Sequence, residues 1–182
     1  MATEPNREDD ERWRLIRGVF LTRSLRDSIT PRGGRRVYTR REIGHSAKLR
    51  DALTGWLVKA EGEYEAGVCC SQHLRNIQAL RQHVLRRCRD FLNEHTITFG
   101  VAQKVLNTYL KYLWCDGRIP APPHCPFDEI ILRQLERHPG CEWRWTYGNK
   151  RDYLAWVSAA RAKAAGEPLC DWELRVYRQN NH

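Results

Sequence analysis

Seven cysteines, seven histidines and a large excess of arginine are the chemical resources of this 182-residue chain. Cys115, Cys125, His138 and Cys141 come nearest to a metal-ligand set. His138 and Cys141 have the separation of half a zinc site, and Cys115 or Cys125 would supply the rest. The other half lacks a short spacing, no C-x-x-C pair occurs, and Cys88 and Cys115 fall on apolar helical faces, where free cysteines are usually buried thiols. Scattered core cysteines are the expectation, with no metal and no cofactor. The odd number leaves at least one thiol unpaired in a monomer. The first residues lack the basic-then-apolar pattern of a secretory leader, so a reducing, cytoplasmic setting is expected. Asp116, Asp128, Glu129 and Glu142, with Lys111 and His124 near them in sequence, are the carboxylates that a metal-dependent nuclease would have to cluster. The spacing favours a plainer reading, in which Asp128 and Glu129 are helix-terminal charges and Asp116 belongs to a turn.

Arginine is the stronger signal. Lys+Arg outnumber Asp+Glu by 31 to 22, and 25 of the basic residues are arginine. Residues 1–11 carry a net −4, residues 12–50 a net +10, residues 51–100 are balanced, and residues 101–182 carry +3. The chain's net charge of +9 therefore belongs to the segment between Arg12 and Arg50. Within it, residues 28–41 read as an arginine-rich loop or arm around Pro31-Arg32-Gly33-Gly34-Arg35-Arg36. A guanidinium clamps phosphate oxygens in a planar fork and stacks on rings. Contacts of this kind follow a nucleic-acid backbone without reading its sequence. Arg23, Arg26, Arg32, Arg35, Arg36, Arg40 and Arg41 are the expected nucleic-acid contacts. Trp143, Trp145 and Tyr147 alternate with Arg144 and Thr146, the period of an extended segment, and would offer rings on one side for base stacking. As core filler the same rings need no ligand. The expected function is binding of nucleic acid or another polyanion. The alternative partner for the same arm is an acidic protein surface, as for an inhibitor or adaptor.

Nucleotide-driven and common hydrolase classes fall away, because the chain has no G-x-G-x-x-G, Walker loop, H-E-x-x-H, calcium loop or G-x-S-x-G. Gly33-Gly34 has basic neighbours but no strand–loop–helix frame to make a phosphate loop. Arg133-x4-His138 resembles the R-x(4–6)-H signature of HEPN-type ribonucleases. That resemblance implies a helical, metal-independent ribonuclease in which histidine serves as acid or base while arginine neutralises the scissile phosphate. It covers only these few residues. Arg40/His45, Arg89/His95, Arg118/His124 and Arg175/His182 share the spacing, so it singles out no pair, and an enzyme stands as a third reading.

The elements that must position these residues read as helices. Apolar periodicity predicts them over 8–27, over 43–60 after a Thr39-to-Glu42 capping box as one helix or two short ones broken near Gly55, over 71–94 with Ser71 as cap, and over 97–115 from near Thr98. In the last of these, Lys104, Asn107, Thr108 and Lys111 form a polar strip, and Asp116-Gly117 is the stop. Four prolines make 119–126 a non-helical connector. Further helices are predicted from Phe127 to His138, from Tyr153 to near Gly166, and after Pro168. The expectation is an all-α fold of six or seven helices in a single domain, 1–182, with at most a short extended or strand segment near 141–147. No run of 18 apolar residues is present, so no membrane span is expected.

Overall fold

The computed structural model describes residues 7–29, 37–38, 44–137 and 139–180. Among them are seven α-helices and no sheet: α1 (Arg7–Ile29), α2 (His45–Glu65), α3 (Cys70–Cys88), α4 (Phe99–Cys115), α5 (Glu129–Arg133), α6 (Lys150–Ala164) and α7 (Leu169–Gln179). The fold is all-α. No helix among the described residues is long and apolar enough to cross a membrane. The expected capping box at Thr39–Glu42 and the arm residues Arg32, Arg35, Arg36, Arg40 and Arg41 lie outside the described residues, as does His138.

Helix α4 is the hub, packing against α1, α3 and α6. Thr98 starts it as the spacing predicts: its side-chain oxygen accepts the Val101 N–H, and its hydroxyl donates to the Thr146 carbonyl. Gly100 donates its N–H to the Gly148 carbonyl at 2.9 Å. A Cβ at position 100 would lie 1.8 Å from the Trp145 carbonyl oxygen, so only glycine lets this backbone approach occur. Gly117, at φ +75°, closes the far end. Against one flank lies α1, with Leu21, Leu25 and Ile29 buried and the Phe20 ring stacked on Tyr112 at 5.3 Å. Helix α2 is continuous through Gly55, and packs on α3 through Leu53, Leu57, Ile77, Leu80 and Val84.

Four local expectations are corrected. The helix predicted from Phe127 to His138 is confined to Glu129–Arg133, between the Asp128 cap and a turn at Gln134. The polar strip of α4 does not face water: Lys104, Asn107 and Thr108 are buried. The Lys104 ammonium and the Asn107 amide are spent on Asp128 at the start of α5, on the Pro-rich connector and on α6, which wrap that side of the helix, while the Thr108 hydroxyl has no hydrogen-bond partner among the described residues. The apolar pattern of 71–94 does not continue as helix throughout. The helix begins at Cys70, one residue before Ser71, and ends at Cys88; two short 3₁₀ turns follow, at Arg89–Phe91 and Asn93–His95. Phe91 and Leu92 keep the apolar rhythm because they are buried from this turn, and Leu92 is extended to form an isolated antiparallel bridge with Tyr38. Near 141–147 no strand forms. The Tyr147 N–H bonds back to the Arg144 carbonyl at 2.9 Å, and this turn breaks the two-residue alternation. Trp145 and Thr146 are buried while Tyr147 is exposed, so the three rings do not share a side.

Candidate functional site

The end of α3 builds an open cavity. Leu85, Arg86, Arg87 and, after the buried Cys88, Arg89 meet the second 3₁₀ turn, and the depression between them has a volume of about 820 Å³. Its lining includes Arg86, Arg87, Arg89, Asp90, Glu94 and His95. Three guanidiniums thus face two carboxylates. Among the described residues, none of the three arginines has an ion-paired carboxylate. The cationic surface continues beyond the rim. His83, one turn earlier, is held below the ordinary histidine range by partial burial and then by the nearby guanidiniums of Arg87 and Arg86, with Lys59 of α2 adding to the effect.

The turn that carries His95 is unusual. Glu94 and His95 have φ of +51° and +50°, in the left-handed region that is uncommon for residues other than glycine, although asparagine, aspartate and histidine enter it more readily than the rest. Its own backbone bonds, from the His95 N–H to the Leu92 carbonyl at 3.1 Å and from the Thr96 N–H to the Asn93 carbonyl at 3.2 Å, close the turn, and two further bonds fix it. The Asn93 N–H donates to the Val37 carbonyl at 3.0 Å, and the His95 Nδ1 lies 3.2 Å from the Arg89 carbonyl oxygen. A carbonyl only accepts, so Nδ1 carries the proton and Nε2 of the neutral ring is left as an acceptor. Among the described residues Nε2 has no partner. Val37 and Tyr38, the residues bonded to this turn, are flanked in sequence by Arg35-Arg36 and Arg40-Arg41.

The expected contacts on α1 are exposed but partly engaged. Arg23 is close enough to Tyr112 to favour its ionised form, and Arg26 pairs with Asp27 at 3.1 Å. Farther back on the helix, Arg14 pairs with Asp10 at 2.6 Å and Arg17 with Glu61 at 3.6 Å. The expected stacking rings are not brought together: Trp145 is buried under the Lys104 ammonium, 4.6 Å from its ring centre, Trp143 is half-buried, and Tyr147 is exposed with the Arg144 guanidinium over it. Of the Arg–His pairs, Arg133 lies on the surface in an ion pair with Glu129, one turn away. Arg118 pairs with Asp116 and stacks on Trp13, while His124 is in the core. Arg89 and His95 are the fully described pair that shares a cavity.

The carboxylates have structural work. Asp128 caps α5 by accepting the Ile130 and Ile131 N–H groups, and it binds the Lys104 ammonium at 3.1 Å. Glu142 pairs with Arg144, whose guanidinium holds its carboxyl below the usual carboxylate range. Among the described residues, no group of three His, Cys, Asp or Glu side chains is arranged to hold a metal ion. Cys125 is fully enclosed, with its thiol pushed far up by burial; Cys141 is half-buried beside Asp152, and Cys115 is exposed at the end of α4.

A second polar cluster lies inside the bundle. His73 Nδ1 is 2.9 Å from the Tyr64 hydroxyl, His124 Nδ1 is 2.8 Å from the Tyr153 hydroxyl, and the two imidazoles meet edge to face at 4.9 Å. Asn107 donates to Gln103, to the Cys125 carbonyl and to the Tyr153 hydroxyl. Burial pushes His73 down to about 4. It pushes His124 down to about 3, helped by the neighbouring His73 and Arg161. Both rings are neutral at physiological pH. This cluster is structural, because solvent does not reach it.

Arg86 and Arg89 read in sequence as the solvent side of a long helix. The signal that marks them is the density of Arg86-Arg87-Cys88-Arg89 just ahead of Asn93, a residue type that breaks helices. Compared with known proteins, the chain matches no protein-family model, no curated protein and no solved structure.

Proposed function

We propose that the protein binds nucleic acid through its phosphate backbone, with the cavity at the end of α3 as a principal contact and the arginine-rich segment 28–41 adding charge. The observation that carries this reading is the set of three guanidiniums, Arg86, Arg87 and Arg89, facing one open cavity without ion-paired carboxylates among the described residues. A surface kept only for solubility pairs or disperses such charges; a phosphate site leaves them available. Lys59 adds a further positive charge near His83, one turn before these arginines. The excess of +10 between residues 12 and 50 supports the reading from sequence. Contacts made by arginine to phosphate carry little sequence preference and weaken as salt rises.

Fluorescence anisotropy tests it with labelled single-stranded RNA, single-stranded DNA, duplex DNA and polyglutamate, each at a series of salt concentrations. The expected result is micromolar or tighter binding to at least one nucleic acid near physiological salt, well above binding to polyglutamate. Equal affinity for polyglutamate and nucleic acid would overturn the reading in favour of an acidic protein partner. Loss of all binding near physiological salt would overturn it outright.

A further inference from the structure

The same cavity holds a proton acceptor as well as cations. We infer that it cleaves RNA by transesterification, with His95 as the general base and Arg86, Arg87 and Arg89 holding the scissile phosphate. This inference rests on the nucleic-acid reading and deepens it. An imidazole whose Nδ1 is tied to a backbone carbonyl has a fixed tautomer, and its Nε2 is free to take a proton. Here that ring stands in an unusual left-handed turn and lines the cavity together with the three guanidiniums. A residue held away from its preferred backbone region at the rim of a cationic cavity is the kind of local departure that functional sites retain.

One base and several cations match a substrate that brings its own nucleophile. In RNA the 2′-hydroxyl sits beside the phosphate, so attack is intramolecular and proximity supplies much of the acceleration. Nε2 of His95 takes the 2′-hydroxyl proton as the 2′-oxygen forms a bond to phosphorus. The bond from phosphorus to the 5′-oxygen breaks, and its electron pair leaves with that oxygen. The departing oxygen takes a proton from water, and the imidazolium returns its proton to the hydroxide that remains. The products are a 2′,3′-cyclic phosphate and a free 5′-hydroxyl end. The arginines hold the non-bridging oxygens, where negative charge grows in the transition state. DNA, lacking the 2′-hydroxyl, is bound and left intact.

The test pairs cleavage with binding. A 5′-labelled single-stranded RNA is incubated with the protein, and its 2′-O-methyl counterpart, which cannot react, is used to measure affinity. Wild-type protein is expected to cut the RNA to fragments ending in a cyclic phosphate, resistant to alkaline phosphatase until opened by acid. His95→Asn is the main variant, because asparagine tolerates the left-handed backbone at this position. It is expected to lose at least about 100-fold in cleavage rate while binding the 2′-O-methyl strand within about twofold of wild type. His95→Gln, with an unchanged melting curve, provides a second reading if His95→Asn folds poorly. Bound RNA that stays intact, or cleavage that survives both substitutions, overturns the inference and leaves the binding function standing. Failure to bind the 2′-O-methyl strand overturns the binding function itself.

Discussion

His73 and His124 on one side, and His95 on the other, show how far position alone decides what a histidine does. The first two lie inside the bundle, bonded to Tyr64 and Tyr153, and burial holds both rings neutral far below the ordinary histidine range. The third lies at the surface beside three guanidiniums, with one nitrogen tied to the backbone and the other open. In the core most polar side chains bond to one another, although His73 Nε2 and Asn107 Oδ1 have no hydrogen-bond partner among the described residues. At the cavity, donors are left over. Charge left open to solvent, rather than residue type, separates a binding surface from a packed interior.

The two regions part most visibly in acid. The unfolded chain binds protons to these histidines near pH 6.5, whereas folded His73 and His124 bind them only near 4 and 3. Stability from the pair is therefore fully present above about pH 6.5 and is lost as pH falls through that window, levelling off only below the folded values. The groups facing the rings, Tyr64, Asn107, Tyr153 and Arg161, include no carboxylate that would offset the charge. Urea unfolding between pH 7 and pH 4 is expected to show a fall of roughly 5 kcal/mol. A flat profile over that range would mean that the rings are solvated.

Asn107→Ala probes the core network next. Asn107 donates to Gln103, to the Tyr153 hydroxyl and to the Cys125 carbonyl, so truncation removes three bonds from a buried network. The expected cost is about 3 kcal/mol in denaturant unfolding, and a cost below about 1 kcal/mol would contradict the role assigned to the network. At the cavity the same kind of truncation does the opposite. Arg86→Ala is expected to change stability by less than about 0.5 kcal/mol, because the side chain is exposed and unpaired, while weakening nucleic-acid binding severalfold.

Much of this architecture is legible in the sequence. Apolar spacing places α1, α2, α6 and α7 closely, and Thr98 and Gly117 mark the two ends of α4 by local chemistry that neighbours do not override. The errors have one cause. Periodicity tells which residues are buried and says nothing about what buries them. Lys104, Asn107 and Thr108 look like a solvent strip until the proline-rich connector is seen to lie over them, where Asn107 donates to the Cys125 carbonyl and Lys104 to Asp128. Phe91 and Leu92 look helical because they are buried, yet a turn and a bridge to Tyr38 bury them. That turn swings His95 round to the arginines of α3, a juxtaposition that linear spacing does not distinguish from four other Arg–His pairs. The arginine excess is evident from counting alone, whereas the cavity at the end of α3 falls in a segment whose charges balance.

The most direct measurement is the salt dependence of nucleic-acid affinity for wild-type protein and for the Arg86→Ala/Arg87→Ala/Arg89→Ala variant. Removing one arginine–phosphate interaction lowers the slope of log affinity against log salt by about 0.7 on single strands and about 0.9 on duplex. The triple variant, folded by its melting curve, is expected to lose about two units of slope and most of its affinity near physiological salt. A slope and affinity equal to those of the wild type would show that nucleic acid does not bind at this cavity.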